Sequence, residues 1–227
     1  MKVCVILAGG KGLRLKGFTE IPKPFLVVKP ETGETILEAQ LKWLVSYDYE
    51  HVILAMSRQN FKFMRDNYAK FLNVPSIDVS IEEEHLGTGG GLKKALELVE
   101  EPNFYCHNID DVCFYNPEEL HLAQRSQNAI LIKQATLPFG VVGFDHDMKV
   151  TSFVEKPMID KYVNCGHYVF NRKAIEELLP DNGDLELTLL RDLSKLGLLY
   201  AYILKGKWIT VNTYKELLQA RSHMTIE

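Results

Sequence analysis

Disulfides, zinc and histidine-bound metals have little to work with in this chain. Its four cysteines in 227 residues, Cys4, Cys106, Cys113 and Cys165, are scattered without a C-x-x-C pair. Two of them sit inside apolar strand-like runs, which points to buried free thiols. The seven histidines show neither H-x-E nor H-E-x-x-H spacing, so each reads as a surface or core residue. The chain also lacks an excess of either charge: a formal net charge of −4 argues against nucleic acid or an anionic membrane as partner. The N-terminal apolar run is too short for a signal-peptide core and has no cleavage site, which predicts a cytoplasmic protein. There is no internal repeat, low-complexity tract or linker of interdomain length. With 46% hydrophobic and 25% charged residues, the composition is that of an ordinary globular chain long enough for one large α/β domain.

What is present is concentrated first in Val3 to Leu15, VCVILAGGKGLRL. The uncharged β-branched and aliphatic run predicts a strand buried on both faces of a parallel sheet. Gly9, Gly10 and Gly12 then let backbone amides approach a ligand, and successive amides around one concavity bind anions. Lys11 and Arg14 add positive charge where a polyphosphate would lie. The Rossmann fingerprint fails because Leu15 stands at the third glycine, and the P-loop fails for want of G-K-[ST]. A plain glycine turn after a core strand remains the alternative at this point.

Further along, Ile21-Pro22-Lys23-Pro24 sets one lysine between two prolines that stiffen its backbone. Helices are predicted over Thr35 to Val45 and Gln59 to Phe71, and strands over His51 to Met56 and Ile77 to Ile81. The last of these empties into Glu82 and a G-T-G-G-G turn at residues 87–91, followed by a helix with Lys93 and Lys94. In FYCHNIDDVCFY a strand is broken by Asp110 and Asp111, carboxylates that are unfavourable to bury without a cation or donors. Magnesium or helix capping at Asn116-Pro117-Glu118 accounts for them. From Ala129 short strands predict a β-rich, substrate-covering insert containing Glu155-Lys156-Pro157. Helices over Ala174 to Leu179, Leu185 to Leu196 and Tyr214 to about Met224, and a strand over Leu199 to Ile203, complete the pattern.

Taken together, LAGGKGLRL, IPKP, LGTGGGLKKA, NIDDV, GVVGF, FVEKP, NCGHYVF and a terminal Trp segment resemble, in order, the sugar-1-phosphate nucleotidyltransferases. The resemblance covers about 220 residues. It implies a Rossmann-like three-layer α/β/α fold with a mixed central sheet and a small β-rich sugar-side insert. The chain would be one nucleotidyltransferase domain, with residues 1–128 holding the nucleotide and 129–227 the sugar, and without the β-helical acyltransferase of some relatives. The activity implied is attack of a sugar 1-phosphate on the α-phosphorus of a nucleoside triphosphate, with Mg2+ as cofactor. Nucleic acid and membrane are not expected partners, and a homodimer is among the states the sequence allows.

The resemblance also implies roles residue by residue. Arg14, Lys23 and Asp110 would be catalytic, and Leu7, Ala8, Gly9, Gly10, Gly12, Glu82, Gly87 and Thr88 would bind the nucleotide. Gly140, Glu155, Lys156 and Asn164 would bind the sugar phosphate. The metal set is Asp110, Asp111 and Asn212: Ile109 replaces the glycine of the family's N-G-D, so either aspartate could ligate, and Asn212 fits a V-N segment where Thr210 occupies one register of the usual acid. Leu13 likewise replaces a threonine. Glu82 stands where relatives read the base. A carboxylate only accepts, and guanine offers N1–H and its amino group as adjacent donors, so GTP is expected, in the manner of guanylyltransferases for mannose 1-phosphate or a heptose 1-phosphate. The alternatives are uridylyl or cytidylyl transfer on the same fold, or a weakly catalytic nucleotide-binding module.

Overall fold

The computed structural model describes residues 1–15 and 17–224. The chain opens with β1 (Val3–Leu7), all five residues buried, as an uncharged aliphatic run requires. A short hairpin, β2 (Val27–Lys29) and β3 (Glu34–Thr35), leads into α1 (Ile36–Ser46). Thr35 caps α1: its hydroxyl accepts from the Glu38 amide while the Glu38 carboxylate accepts from the Thr35 amide, which satisfies two otherwise orphaned donors. There follow β4 (His51–Ser57), α2 (Arg58–Asn67), β5 (Ile77–Glu82), α3 (Gly87–Ala95), β6 (Asn103–Asn108), β7 (Asp111–Cys113) and α4 (Glu118–Ala123). The second half supplies β8 (Asn128–Thr136), β9 (Val141–Phe144), β10 (Val150–Val154), β11 (Met158–Asn171), α5 (Arg172–Ile175), α6 (Leu189–Lys195), β12 (Leu199–Ile203), β13 (Trp208–Thr210) and α7 (Tyr214–Met224).

Seven strands form the central sheet in the order β12-β8-β11-β6-β1-β4-β5. All neighbours are parallel except β11, which runs antiparallel to both β6 and β8. This is the mixed Rossmann-like sheet expected from the sequence. Alternation along β1 divides the core in two. Cys4 and Ile6 face a cluster with Leu37, Leu44, Met64, Leu120 and Leu217; Val3, Val5 and Leu7 face another with Leu92, Leu96, Ile175, Leu189 and Leu193. Helices α1, α2, α4 and α7 thus cover one face and α3, α5 and α6 the other.

Several boundaries differ from the sequence reading. The glycines at 87–91 lie within helix α3 and are not a turn before it; Gly183 accepts from the Gly89 amide at 2.8 Å and donates to the Leu86 carbonyl at 2.8 Å, so tertiary packing overrides their poor helix propensity. The predicted helix 59–71 stops at Asn67 and continues as a 3-10 turn over Ala69–Asn73. The helices predicted at 174–179 and 185–196 are shorter, at Arg172–Ile175 and Leu189–Lys195. The β-rich region is also not a separate insert as a whole: β8, β12 and much of β11 complete the central sheet, and β9 and β10 alone form a two-stranded sheet apart from it. All five residues of β10 are exposed, Phe153 among them.

Two histidines sit fully inside this sheet. His107 donates from Nδ1 to the Asn108 carbonyl at 3.0 Å, while its Nε2 has no partner among the described residues. Burial lowers its pKa to about 4 despite that carbonyl and the charge of Asp110. His167, whose ring centroid lies 4.9 Å away, is lowered too, by burial and then by His107. An unfolded histidine titrates near 6.5, so below that pH the unfolded chain binds more protons and native stability falls as pH drops toward 4. Urea unfolding should therefore show a loss of about 1.5 kcal/mol from His107 between pH 6.5 and pH 5, with His167 adding a loss of the same sign; a flat profile across that window would mean that these rings are not held neutral.

Candidate active site

Strands β1, β4, β5 and β6 end together, and ligands of open α/β sheets bind at such carboxyl ends, where strand order reverses direction. Here the chain passes from β1 outward to β4 and β5, then returns to place β6 on the other side of β1. A cavity of about 260 Å³ opens at that point, lined by Leu7, Gly9 and Gly10 after β1, by Glu82, Gly87 and Thr88 after β5, and by Asn108 and Asp110 after β6. A second, smaller hollow shares Gly10 and adds Lys11, Gly12 and Lys23. Among the described residues the amides of Gly9, Gly10, Lys11 and Gly12 donate to no protein acceptor. Four successive free donors next to two lysines make an anion-binding concavity.

The loop is held from below by Asn60, on the buried face of α2. Its amide nitrogen donates to the Ala8 carbonyl at 2.7 Å and to the Gly10 carbonyl at 3.4 Å. Ala8 itself is buried, and its amide is taken by the Ala55 carbonyl at 2.8 Å, so it supports the loop and does not line the cavity. At the far end Glu82 is 5% exposed. A Cβ on Gly9 or Gly91 would come within 2.6 or 2.7 Å of its Oε1, so glycine on both sides leaves room for the carboxylate in this position. Its Oε2 accepts from the Leu86 amide at 3.2 Å. Burial pushes the carboxyl's pKa up, against the lowering effects of that bond and of His85 and Lys94.

At the opposite end three side chains converge. Lys23 Nζ donates to Asp110 Oδ2 at 2.5 Å and to Asn212 Oδ1 at 2.7 Å. Asn212 arrives because β13 pairs antiparallel with β7, Thr210 opposite Asp111, and because the Val211 amide donates to the Asp110 carbonyl at 2.8 Å. Two hard oxygen donors already gathered on one cation suit a magnesium-type ion, which takes one or two protein oxygens and keeps waters. Asp111 is not in this group. Its carboxylate turns inward to Trp208 Nε1 at 2.9 Å and Asn108 Nδ2 at 3.1 Å, and Gly166, with φ +73, passes so close that a Cβ there would lie 2.0 Å from Oδ2. Burial and then the Asp110 charge raise the Asp111 pKa to about 7, against the donors and Lys23. Its carbonyl accepts from both Gln40 at 3.0 Å and His167 at 2.9 Å.

The remaining expected residues lie elsewhere. Arg14 is exposed on the 3-10 turn Leu13–Leu15, lines neither hollow and has no ion pair among the described residues. Gly140 and Glu155 are neighbours at the base of the β9–β10 hairpin, 3.0 Å separating a Gly140 Cβ from the carboxylate. Lys156 Nζ is 3.9 Å from Glu155, both well exposed. Asn164 on β11 donates to the Tyr168 hydroxyl at 2.6 Å and accepts from the Gly166 amide at 2.9 Å. None of these four lines the two hollows. Sequence reasoning missed Asn60, Asn108, His85 and Asp184 in or under the cavity; of these only Asn60 carried a signal, a polar residue one helical turn before buried Met64.

The arrangement is that of an α/β protein with a loop of unpaired amides at the switch point of its sheet and, lining the same cavity, an acidic turn bonded to Lys23. The chain belongs to the nucleotidyl transferase family, whose sequence profile matches residues 3–227. It is 30% identical over 227 residues to mannose-1-phosphate guanylyltransferase catalytic subunit beta of Danio rerio, covering 94% of this chain and 62% of that protein. Identity to the mannose-1-phosphate guanyltransferase of Neurospora crassa is 30%, with the same coverage. The chain thus spans less than two thirds of these relatives. HddC from Yersinia pseudotuberculosis superposes with a TM-score of 0.78 at 29% identity, over 99% of this chain and 100% of that one. No helix among the described residues is long and apolar enough to cross a membrane.

The Asn60 clamp generates a direct expectation. Asn60→Ala removes the donor beneath Ala8 and Gly10, which should lower stability by about 1–2 kcal/mol and raise the hydrogen-exchange rate of the Ala8 amide, now bonded to the Ala55 carbonyl, at least several-fold. Unchanged exchange at Ala8 would show that the start of the loop holds its shape without Asn60.

Proposed function

We propose that this protein transfers a guanylyl group from GTP to a sugar 1-phosphate, releasing pyrophosphate. The observation that carries the reading is one continuous cavity bounded by Glu82 at one end and by Asp110 at the other, where Lys23 and Asn212 also converge. Support also comes from the mannose-1-phosphate guanylyltransferase relatives and from HddC of Yersinia pseudotuberculosis, whose structure with GMP-PN superposes at a TM-score of 0.75.

In this reading the base lies over Leu7 and Gly9, with its donor edge toward Glu82. A carboxylate only accepts, which matches the paired donors of guanine and mismatches uracil. The free amides of Gly9, Gly10 and Gly12 take phosphate oxygens, with Gly87 and Thr88 closing the opposite wall. Asp110 and Asn212 hold the divalent cation, Mg2+, which when bound supplies positive charge to the phosphates. Asp111 serves by orienting Asp110, its carboxylate being committed to Trp208 and Asn108. The sugar phosphate sits toward Lys156, Glu155, Gly140 and Asn164. Its phosphate oxygen is already ionised, so the protein supplies no general base and acts by positioning and by charge from Lys23 and Arg14. Residues 1–128 then carry the nucleotide and residues 129–227 the sugar within one domain, located in the cytoplasm.

A pyrophosphate-release assay over a panel of nucleoside triphosphates and sugar 1-phosphates tests this. GTP should be used fastest, and no pyrophosphate from any pair would refute enzymatic transfer. Lys23→Ala should lower kcat roughly 10²–10³-fold, the usual effect of losing one charge-stabilising donor; near wild-type turnover would take Lys23 out of the reaction. Lys156→Ala should raise KM for the sugar 1-phosphate at least tenfold while KM for GTP stays within about twofold, and equal changes in both would place Lys156 away from the sugar.

A further inference from the structure

Lys23 is itself the cation that Asp110 and Asn212 hold. Its ammonium bridges Asp110 Oδ2 at 2.5 Å and Asn212 Oδ1 at 2.7 Å, the same two oxygens assigned above to a divalent ion. The side chain also borders the second hollow with Gly10, Lys11 and Gly12, its Cγ 3.6 Å from a Cβ placed on Gly12. It therefore stands between two alternatives: a carboxylate and an amide oxygen on one side, and the amide-lined phosphate cradle on the other.

We infer that Lys23 competes with the divalent cation for Asp110 and Asn212, holding the pair in register until phosphate oxygens draw its ammonium toward the glycine loop. The inference rests on the reading of Asp110 and Asn212 as metal ligands. Two positive groups drawn to the same two oxygens in a partly buried site repel one another strongly, so occupancy by one displaces the other. Lysine's four-carbon stem lets the ammonium move while Pro22, at φ −61, keeps the backbone fixed. The frame does not depend on Lys23. The Asp110 carbonyl is tied to the Val211 amide at 2.8 Å, and the Asn212 amide donates to Glu216 Oε2 at 2.9 Å. Metal and nucleotide consequently favour each other's binding, because phosphates that attract Lys23 free the metal's ligands, and such coupling is reciprocal.

Mn2+ binding without nucleotide, followed by the loss of the free-ion EPR signal, tests the competition directly. Lys23→Met should bind Mn2+ at least fivefold more tightly than wild type, and adding Asp110→Ala should abolish that gain. Equal or weaker binding by Lys23→Met, with Asp110→Ala still weakening the wild type, overturns the competition and leaves the metal site standing. Binding that Asp110→Ala alters in neither background overturns both. A second measurement needs no variant: reductive methylation of the wild type, read by mass spectrometry, should label Lys23 several-fold faster with Mg2+ than without, relative to exposed Lys62. An unchanged ratio refutes the displacement.

Discussion

The turn at residues 108–111 is fixed by a clamp on Asp111, and the geometry of the cavity follows from it. The Asp111 carbonyl takes donors from Gln40 on α1 and His167 on β11, while its carboxylate takes Trp208 on β13 and Asn108 at the end of β6. Four elements from separate parts of the chain thereby agree on the position of one peptide. His167 can donate from Nε2 because Tyr105 donates to its Nδ1, and the Tyr115 hydroxyl lies 2.7 Å from that of Tyr105. A buried network of this kind fixes geometry, here with the Asn108 Oδ1 left without a partner among the described residues, and the adjacent Asp110 lines the cavity.

The adjacent acids illustrate what a sequence can and cannot convey. A strand broken by two carboxylates announced a cation or donors, and the structure supplies both: Asp110 has the cation and Asp111 the donors. Which aspartate took which role depended on Trp208 and Gly166, 97 and 55 residues further along than Asp111. No local pattern encodes such a meeting. The positions of the main central strands along the chain and of the glycine loop were legible because buried parallel strands are uncharged runs and because glycine clusters permit close approach. The helical state of residues 87–91 was not legible, since it depends on Gly183 and its neighbours docking against them.

The same contrast separates the two halves of the expected site. Leu7, Gly9, Gly10, Glu82, Gly87, Thr88 and Asp110 share one cavity because they follow strands of one sheet and cannot avoid proximity. Gly140, Glu155 and Lys156 sit where the β9–β10 hairpin leaves the central sheet, just beyond the Thr136–Met158 pair and the bond from the Leu137 amide to the Pro157 carbonyl, so strand pairing fixes the root of the hairpin while its two strands pair only with each other. Arg14, on an exposed turn, is placed by still less.

Helix α3 has one more implication. Its glycines bring almost no intrinsic tendency to coil, and its first turn is secured by Gly183 and by Leu185, whose amide donates to the Thr88 hydroxyl at 2.9 Å. On a ribosome, the amino-terminal strands would emerge long before those fastening residues, and Asn212 later still. The nascent chain would thus carry a glycine loop without an opposing wall, and that wall would form only once residues 183–185 had emerged and docked.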